Sequence, residues 1–157
     1  MAELADSGFV LPPGQGRSID LGNFAMSVKA IEEQTAGHFS LLEATEPADF
    51  SPPLHIHCDA SESFYVLEGA YTVFLDTRQF TCPAGSFIFI PAGTPHSFRV
   101  SAKTGRKLVL FTTAALVGYF DDLSTAIHEG RADPEALSAI AAKCSMEVLG
   151  PVPEGYL

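Results

Sequence analysis

The segment from Pro52 to Gly69, PPLHIHCDASESFYVLEG, carries two histidines two residues apart and a glutamate five residues later. In a β-strand successive side chains point to opposite faces, so His55 and His57 share one face. Imidazole nitrogens and carboxylate oxygens bind transition metals at about 2.0–2.2 Å, and a short polar turn brings Glu62 towards the same ion. The segment therefore predicts a strand whose inner face presents ligands for one metal.

A second segment, GSFIFIPAGTPH from Gly85 to His96, supplies a fourth ligand. An apolar strand ends there in a Pro-x-Gly turn, which delivers His96 at the start of the next strand. Three imidazoles and one carboxylate form a mixed N/O donor set that suits Fe, Mn, Ni, Co, Cu or Zn. We therefore predict one divalent transition metal, held by His55, His57, Glu62 and His96.

These residues resemble the two sequence motifs of the cupin superfamily. The first motif is H-x-H, three or four residues, E, six residues and G, and it is matched by His55, His57, Glu62 and Gly69. The second is G, five residues, P-x-G, two residues and H, and it is matched by Gly85, Pro91, Gly93 and His96. Two positions that are not ligands depart from the pattern: Asp49 replaces a glycine and Val100 replaces an asparagine.

The resemblance implies an all-β fold, a cupin-type β-barrel (double-stranded β-helix or jelly roll), with a C-terminal pair of helices. The segments PPLH, FYVLEG and SMEVLGP look like those of the small single-domain cupins related to quercetin 2,3-dioxygenase. That likeness implies a metal-dependent dioxygenase of a flavonol-like or other enolisable small molecule, with O2 as co-substrate. The substrate would chelate the metal, and Glu62 would act as ligand and as catalytic base.

Short apolar runs separated by turn-prone residues predict consecutive strands over residues 17–113. The run LVGYFDDLSTAIHEG then keeps a helical apolar spacing, and Asp133 followed by Pro134 marks the start of a second helix. Both helices are expected to pack on the outside of the barrel. At 157 residues we expect a single domain (1–157), made of an N-terminal arm (1–16), a barrel (17–113) and C-terminal helices with an irregular tail (114–157).

An apolar pocket is predicted beside the metal. The runs SFYVLEG and YTVFLD, joined at Gly69 and Ala70, predict a β-hairpin. Period-two alternation puts apolar side chains of both runs on the same inner face as Glu62, although ordinary core packing would use the same pattern. The predicted pocket residues are Phe64, Val66, Tyr71, Val73, Ile88 and Phe98.

The chain has 19 acidic and nine basic residues, and the formal charge of −10 disfavours binding to nucleic acid or to an anionic membrane. No apolar run approaches the ~18 residues of a membrane span and no signal peptide is evident, so we expect a cytoplasmic protein. The strand SFIFI has no polar residue, so both of its faces need cover, one from the barrel and one from a second layer or subunit. With the long N-terminal arm, this predicts a homodimer.

Two other classes of function use the same ligands. An isomerase, cyclase or decarboxylase of a polyketide-like or sugar-derived molecule would use the metal as a Lewis acid without O2. A non-catalytic sensor or small-molecule-binding protein would hold its ligand unchanged. Purely structural metal sites are usually closed tetrahedra, often rich in thiolates, whereas this donor set lies beside a predicted pocket, which favours an enzyme.

Overall fold

The computed structural model describes residues 8–112 and 116–156. Residues 1–7 of the predicted arm and the predicted boundary between barrel and helices at residues 113–114 lie outside the described residues. The strands, in chain order, are β1 (Arg17–Asp20), β2 (Ala25–Ala30), β3 (Phe39–Pro47), β4 (Leu54–His57), β5 (Ser61–Glu68), β6 (Ala70–Leu75), β7 (Arg78–Pro83), β8 (Phe87–Ile90), β9 (His96–Val100), β10 (Thr104–Thr112) and β11 (Met146–Gly150). The helices are a short 3₁₀ helix (Glu32–Thr35), α1 (Val117–His128) and α2 (Pro134–Lys143).

The strands form two antiparallel sheets that enclose the core. One sheet has the order β1-β2-β3-β10-β5-β8 and the other the order β11-β4-β9-β6-β7. Side chains alternate as expected for strands with one buried face: Glu62, Phe64 and Val66 of β5 are buried, whereas Tyr65 between them is half-exposed. The predicted all-β jelly roll with two C-terminal helices is confirmed.

The predicted hairpin between SFYVLEG and YTVFLD is wrong. β5 pairs with β10 and β8 in one sheet, whereas β6 pairs with β7 and β9 in the other. Gly69, with a φ of +73°, turns the chain from one sheet into the other, and a Cβ at this position would lie 2.1 Å from the carbonyl oxygen of Thr104. A turn between two strand-like runs therefore marks a change of sheet here, and β5 finds its partners far along the chain.

Asp49 also has a left-handed backbone, with a φ of +62°. This is the position where the resemblance leads us to expect a glycine, and aspartate is one of the few other residues that tolerate such a conformation. The Asp49 amide donates to the carbonyl oxygen of Val100 at 3.1 Å, which ties the loop before β4 to the end of β9. The departure from the motif therefore leaves the turn intact.

The C-terminal segment differs from the expectation in two ways. α2 starts as predicted, because the Asp133 side chain accepts a hydrogen bond from the Ala136 amide at 2.8 Å and Pro134 is the first helical residue. However, α1 does not simply pack on the outside of the barrel, since its apolar side chains line a cavity together with side chains of the barrel. In addition, the chain after α2 forms β11, which pairs with β4. None of the described helices is long and apolar enough to cross a membrane.

β8 leaves one of its faces open. Ile88 and Ile90 are buried, whereas the side chains of Phe87 and Phe89 are 66% and 54% exposed. Phe87 lies opposite Tyr65 of β5, which is 46% exposed. We call Tyr65, Phe87 and Phe89 the aromatic patch. Within the part of the chain that the structure describes, only the barrel side of SFIFI is covered, and the homodimer stays a prediction.

Candidate metal centre and its cavity

The four predicted metal ligands converge at one end of the barrel. Their ligand atoms all lie within 4.8 Å of one another. β4 presents His55 and His57 on one face, Glu62 is the second residue of β5, and β9 begins with His96, which is aligned with His55 in the sheet. We call these four residues the histidine cluster. Its role in metal binding stays a prediction, and its geometry can be compared with what a metal requires.

Backbone carbonyls fix the orientation of two of the rings. The Nδ1 atoms of His55 and His96 lie 2.8 and 2.9 Å from the carbonyl oxygens of Pro53 and Thr94. A carbonyl only accepts hydrogen bonds, so each Nδ1 carries a proton and donates it. In neutral His55, Nε2 then keeps the lone pair that a metal ligand needs. In His96, Nε2 lies 2.9 Å from Oε2 of Glu62. Burial lowers the pKa of His96, but the contact with Glu62 outweighs it and raises this pKa above its ordinary value, so a proton occupies the Nε2 position that a bound metal would take.

Glu62 holds the centre of the cluster. Its Oε2 lies 3.1 Å from Nε2 of His57 and 2.9 Å from Nε2 of His96. Burial raises the pKa of Glu62, but the hydrogen bonds from both histidines outweigh it, so the pKa lies below its ordinary value. Burial and the neighbouring His96 lower the pKa of His55 to about 4. At neutral pH the cluster therefore offers a carboxylate and at least one neutral imidazole in a buried site, which fits a divalent transition metal.

A cavity of about 260 Å³ lies beside the cluster. This is near the small end of the ~300–1,000 Å³ range of ligand pockets. Its wall is mostly apolar and rich in aromatic rings, and it includes His55, His57 and Glu62. The aromatic side chains of the wall are Phe24, Phe50, Phe64, Phe98, Phe111, Tyr119 and Phe120.

Two of the six predicted pocket residues, Phe64 and Phe98, line this cavity. The other four are buried in the barrel core and are not part of its lining: Val66, Tyr71, Val73 and Ile88. Val66 of β5 and Tyr71 and Val73 of β6 share the inward face, as alternation requires, but they lie further from the histidine cluster. Phe98 packs against both Phe64 and Tyr71, with ring centroids 5.6 and 5.7 Å apart.

α1 supplies a large part of the wall that the sequence did not assign to the pocket. Its lining side chains, with the residue before it, are Leu116, Tyr119, Phe120, Leu123 and Ile127. Arg17 pairs with Asp121 at 2.7 Å, and the Ser124 hydroxyl donates to the carbonyl oxygen of Asp20 at 2.6 Å. These contacts hold α1 against β1. The helical apolar spacing was visible in the sequence, but it did not reveal which surface the helix covers.

A second polar cluster reaches the same cavity wall through Glu46 and Lys107, and the sequence did not reveal it. Lys107 Nζ donates to Glu46 Oε1 at 2.7 Å and to Glu46 Oε2 at 2.6 Å, and the Tyr71 hydroxyl donates to Glu46 Oε2 at 2.7 Å. All three side chains are at least 97% buried. We call them the lysine cluster. Alternation along KLVLFTT could have placed Lys107 on the inner face with Val109 and Phe111.

The surroundings of Lys107 are aromatic as well as ionic. Its Nζ lies 3.8 Å from the ring centroid of Phe98 and 5.1 Å from that of Phe64, which is the geometry of a cation–π contact. Burial lowers the pKa of Lys107, and the charge of Glu46 opposes this shift. Gly105 lies opposite Glu46, and a Cβ there would lie 2.5 Å from the Tyr71 ring. Glycine at this position therefore leaves room for the tyrosine.

Comparisons with known proteins agree with this architecture. Residues 41–112 match the family described as Cupin domain. The chain is 31% identical to quercetin 2,3-dioxygenase of Bacillus subtilis (strain 168) over 111 residues, which are 71% of this chain and 33% of that protein. It therefore spans about a third of the length of that relative.

Two solved structures extend the comparison. KdgF from Halomonas sp. aligns with a TM-score of 0.61 at 16% identity, over 68% of this chain and 94% of that one, which shows a common fold. The polyketide cyclase RemF from Streptomyces resistomycificus aligns with a TM-score of 0.51 at 27% identity, over 64% of this chain and 70% of that one.

Proposed function

Since this chain belongs to the cupin superfamily, we propose that it is a metal-dependent dioxygenase of a flavonol-like or other enolisable small molecule. The observation that carries the proposal is the histidine cluster itself, which forms part of the wall of a mostly apolar cavity. The similarity to quercetin 2,3-dioxygenase supports this reaction class. The class of substrate and the presence of a bound metal are both part of the proposal.

The residues of the histidine cluster would hold one divalent transition metal, which is Fe, Mn, Ni, Co, Cu or Zn. When bound, such an ion supplies Lewis acidity and open positions for a chelating enol and O2. Both histidine contacts of Glu62 fall on Oε2. We assign to its other oxygen, Oε1, the role of accepting the proton of the substrate hydroxyl, since Glu62 also lines the cavity.

The apolar wall has two tasks in this reaction. Phe24, Phe50 and Phe98 offer ring faces and edges to a flat aromatic substrate, and Phe50 packs between the other two at centroid distances of 4.6 and 6.0 Å. Together with α1 they also make the cavity wall mostly apolar, which would limit the access of water to a bound substrate. A reactive enolate is therefore protected from reprotonation by solvent.

An oxygen-electrode assay tests this function. The metal-replete protein is expected to consume O2 in a one-to-one ratio with a flavonol such as quercetin, and removal of the metal with a chelator is expected to stop the reaction. A substrate that is converted at the same rate with and without O2 would contradict a dioxygenase.

That contrary result would favour the second candidate, a Lewis-acid isomerase, cyclase or decarboxylase. The likeness to a polyketide cyclase structure supports this candidate, because such a reaction can use the same ligands without O2. A third function, non-catalytic binding of a small molecule, predicts stable binding without any turnover. Metal-dependent conversion of any substrate would exclude it.

A further inference from the structure

The lysine cluster lies further along the barrel than the histidine cluster, on the other side of Phe64 and Phe98. On β10, Phe111 is aligned with Glu62 and packs on His57, whereas Lys107 is aligned with Val66, four residues away. At the rise of a β-strand this separation is roughly 13 Å between Cα atoms. Lys107 and Glu46 nevertheless both line the cavity. The cavity wall thus carries two polar sites separated by aromatic surface.

Lys107 is the only lysine or arginine among the described residues that line the cavity. Its ammonium group has three N–H donors, and two of them are used by the oxygens of Glu46. The third has only the cation–π contact with the surrounding rings, of which that of Phe98 is nearest, with its centroid 3.8 Å from Nζ. The Glu46 carboxylate has about four lone-pair positions, of which Lys107 and Tyr71 use three. One donor and one acceptor position of the ion pair therefore have no hydrogen-bond partner among the described residues.

A free donor beside a free acceptor on a neutral ion pair matches a neutral hydroxyl group. The hydroxyl oxygen can accept from Lys107, and its hydrogen can be donated to Glu46. A substrate carboxylate would suit Lys107 but would be repelled by Glu46, and an apolar group would leave both positions unused. We propose that Lys107 and Glu46 form a hydroxyl-binding site that recognises a phenolic hydroxyl at the end of the substrate away from the histidine cluster.

This inference rests on the proposed function, because it assumes that an enolisable aromatic molecule occupies the cavity with its chelating end at the histidine cluster. It adds a specificity determinant to that function. The site favours substrates that carry a second hydroxyl on the distal ring. Since charged groups strengthen hydrogen bonds, the preference over an analogue without this hydroxyl should be about 10- to 100-fold in affinity.

Anaerobic binding measurements test the site without relying on turnover. The probes are 3-hydroxyflavone, its three isomers that carry one further hydroxyl on the phenyl ring, and the matching phenyl carboxylates. Wild-type holoprotein is expected to bind at least one hydroxylated isomer about 10- to 100-fold more tightly than 3-hydroxyflavone. It is expected to bind the carboxylates no better than 3-hydroxyflavone.

The test variant is Glu46→Gln with Lys107→Met, which removes both charges together and leaves no unpaired buried ion. It should bind 3-hydroxyflavone as the wild type does and lose the preference for the hydroxyl. The matched control is Lys29→Met with Glu43→Gln, which removes a partly exposed pair 3.6 Å apart that does not line the cavity. This control should keep the full preference.

Several results would overturn the hydroxyl-binding site: no binding of any probe to wild type, equal binding of parent and isomers, or a preference that survives in the test variant. Equal binding would mean that the free positions serve only a water molecule. Should the preference appear and then disappear in the test variant while no O2 is consumed, the hydroxyl site stands and the dioxygenase proposal fails.

Discussion

The two polar clusters of the cavity differ in how far they satisfy themselves. In the lysine cluster, a cation, an anion and a hydroxyl are joined by three hydrogen bonds, and the formal charges cancel. In the histidine cluster, two of the three imidazoles contact one carboxylate oxygen, and the buried Nδ1 of His57 has no partner among the described residues. The lysine cluster balances its charges without a ligand, whereas the histidine cluster has the donor set of a cation site.

This difference separates two kinds of functional residue. Three imidazoles and one carboxylate that converge in a buried site form a donor set for a transition metal, so the histidine cluster points to ion binding. A buried ion pair is compensated internally and adds little stability over an apolar pair of similar shape, so the lysine cluster points to recognition. Substitutions in the two clusters should therefore have different consequences.

The largest effect is expected from removing ligands of the histidine cluster. Combining His55→Ala and His96→Ala deletes two of the four donors, so the metal content should fall from about one per chain to nearly none. Loss of a residue that merely orients a ligand already costs ~10–100-fold in metal affinity, and two lost ligands should cost far more. Elemental analysis checks this, with Glu46→Gln, Lys107→Met as the control that retains the metal. Equal metal in wild type and the histidine variant would remove the metal site.

A smaller but still large effect is expected when the lysine cluster is broken on one side. Lys107→Met alone leaves the Glu46 carboxylate buried with only the Tyr71 hydroxyl, which should lower the free energy of unfolding by about 3–5 kcal/mol. The double variant with Glu46→Gln should recover most of this loss. Urea denaturation monitored by circular dichroism measures both. If the single and double variants were equally unstable, the ion pair would be a stabilising element in its own right.

Glu62→Gln separates the two roles of the central carboxylate. The amide keeps the shape and loses the charge, so a variant reloaded to the wild-type metal content should still bind an enolisable substrate. It should turn the substrate over at least ~100-fold more slowly, because the proton acceptor is gone. Steady-state kinetics normalised to metal content give the comparison. Full activity in the metal-replete variant would refute the base role and leave Lewis-acid polarisation as the better account.

Substitutions in the aromatic patch, on the outer face of β5 and β8, are expected to have the smallest effect on either cluster. Phe87→Ser with Phe89→Ser should convert the predicted homodimer into a monomer, because apolar area at the subunit contact is lost. Metal content and flavonol affinity should stay unchanged, since neither residue lines the cavity. Light scattering at micromolar concentration measures the mass. A wild-type mass of 16.7 kDa would contradict the dimer itself.

The sequence predicted what depends on short-range patterns. Strand alternation, turn residues and the cap at Asp133 act within a few positions, and three of the four clustered ligands lie within residues 55–62. The predictions from the sequence failed where pairing between distant segments determines the structure. β5 pairs with β10 instead of β6, β11 joins β4, and the lysine cluster unites Glu46, Tyr71 and Lys107 from three strands. No local pattern contains that information.

The cavity has walls of two different origins. The histidine and lysine clusters lie in residues 41–112, the segment that matches the family, whereas Leu21, Phe24 and the side chains of α1 lie outside it. Mutations in these outer segments can therefore reshape the space above the ligands without disturbing the ligands themselves. Such a division allows the molecules that fit the cavity to change while the ligand set stays the same. A comparison of two cupins by their shared motifs alone therefore covers only one wall of the site.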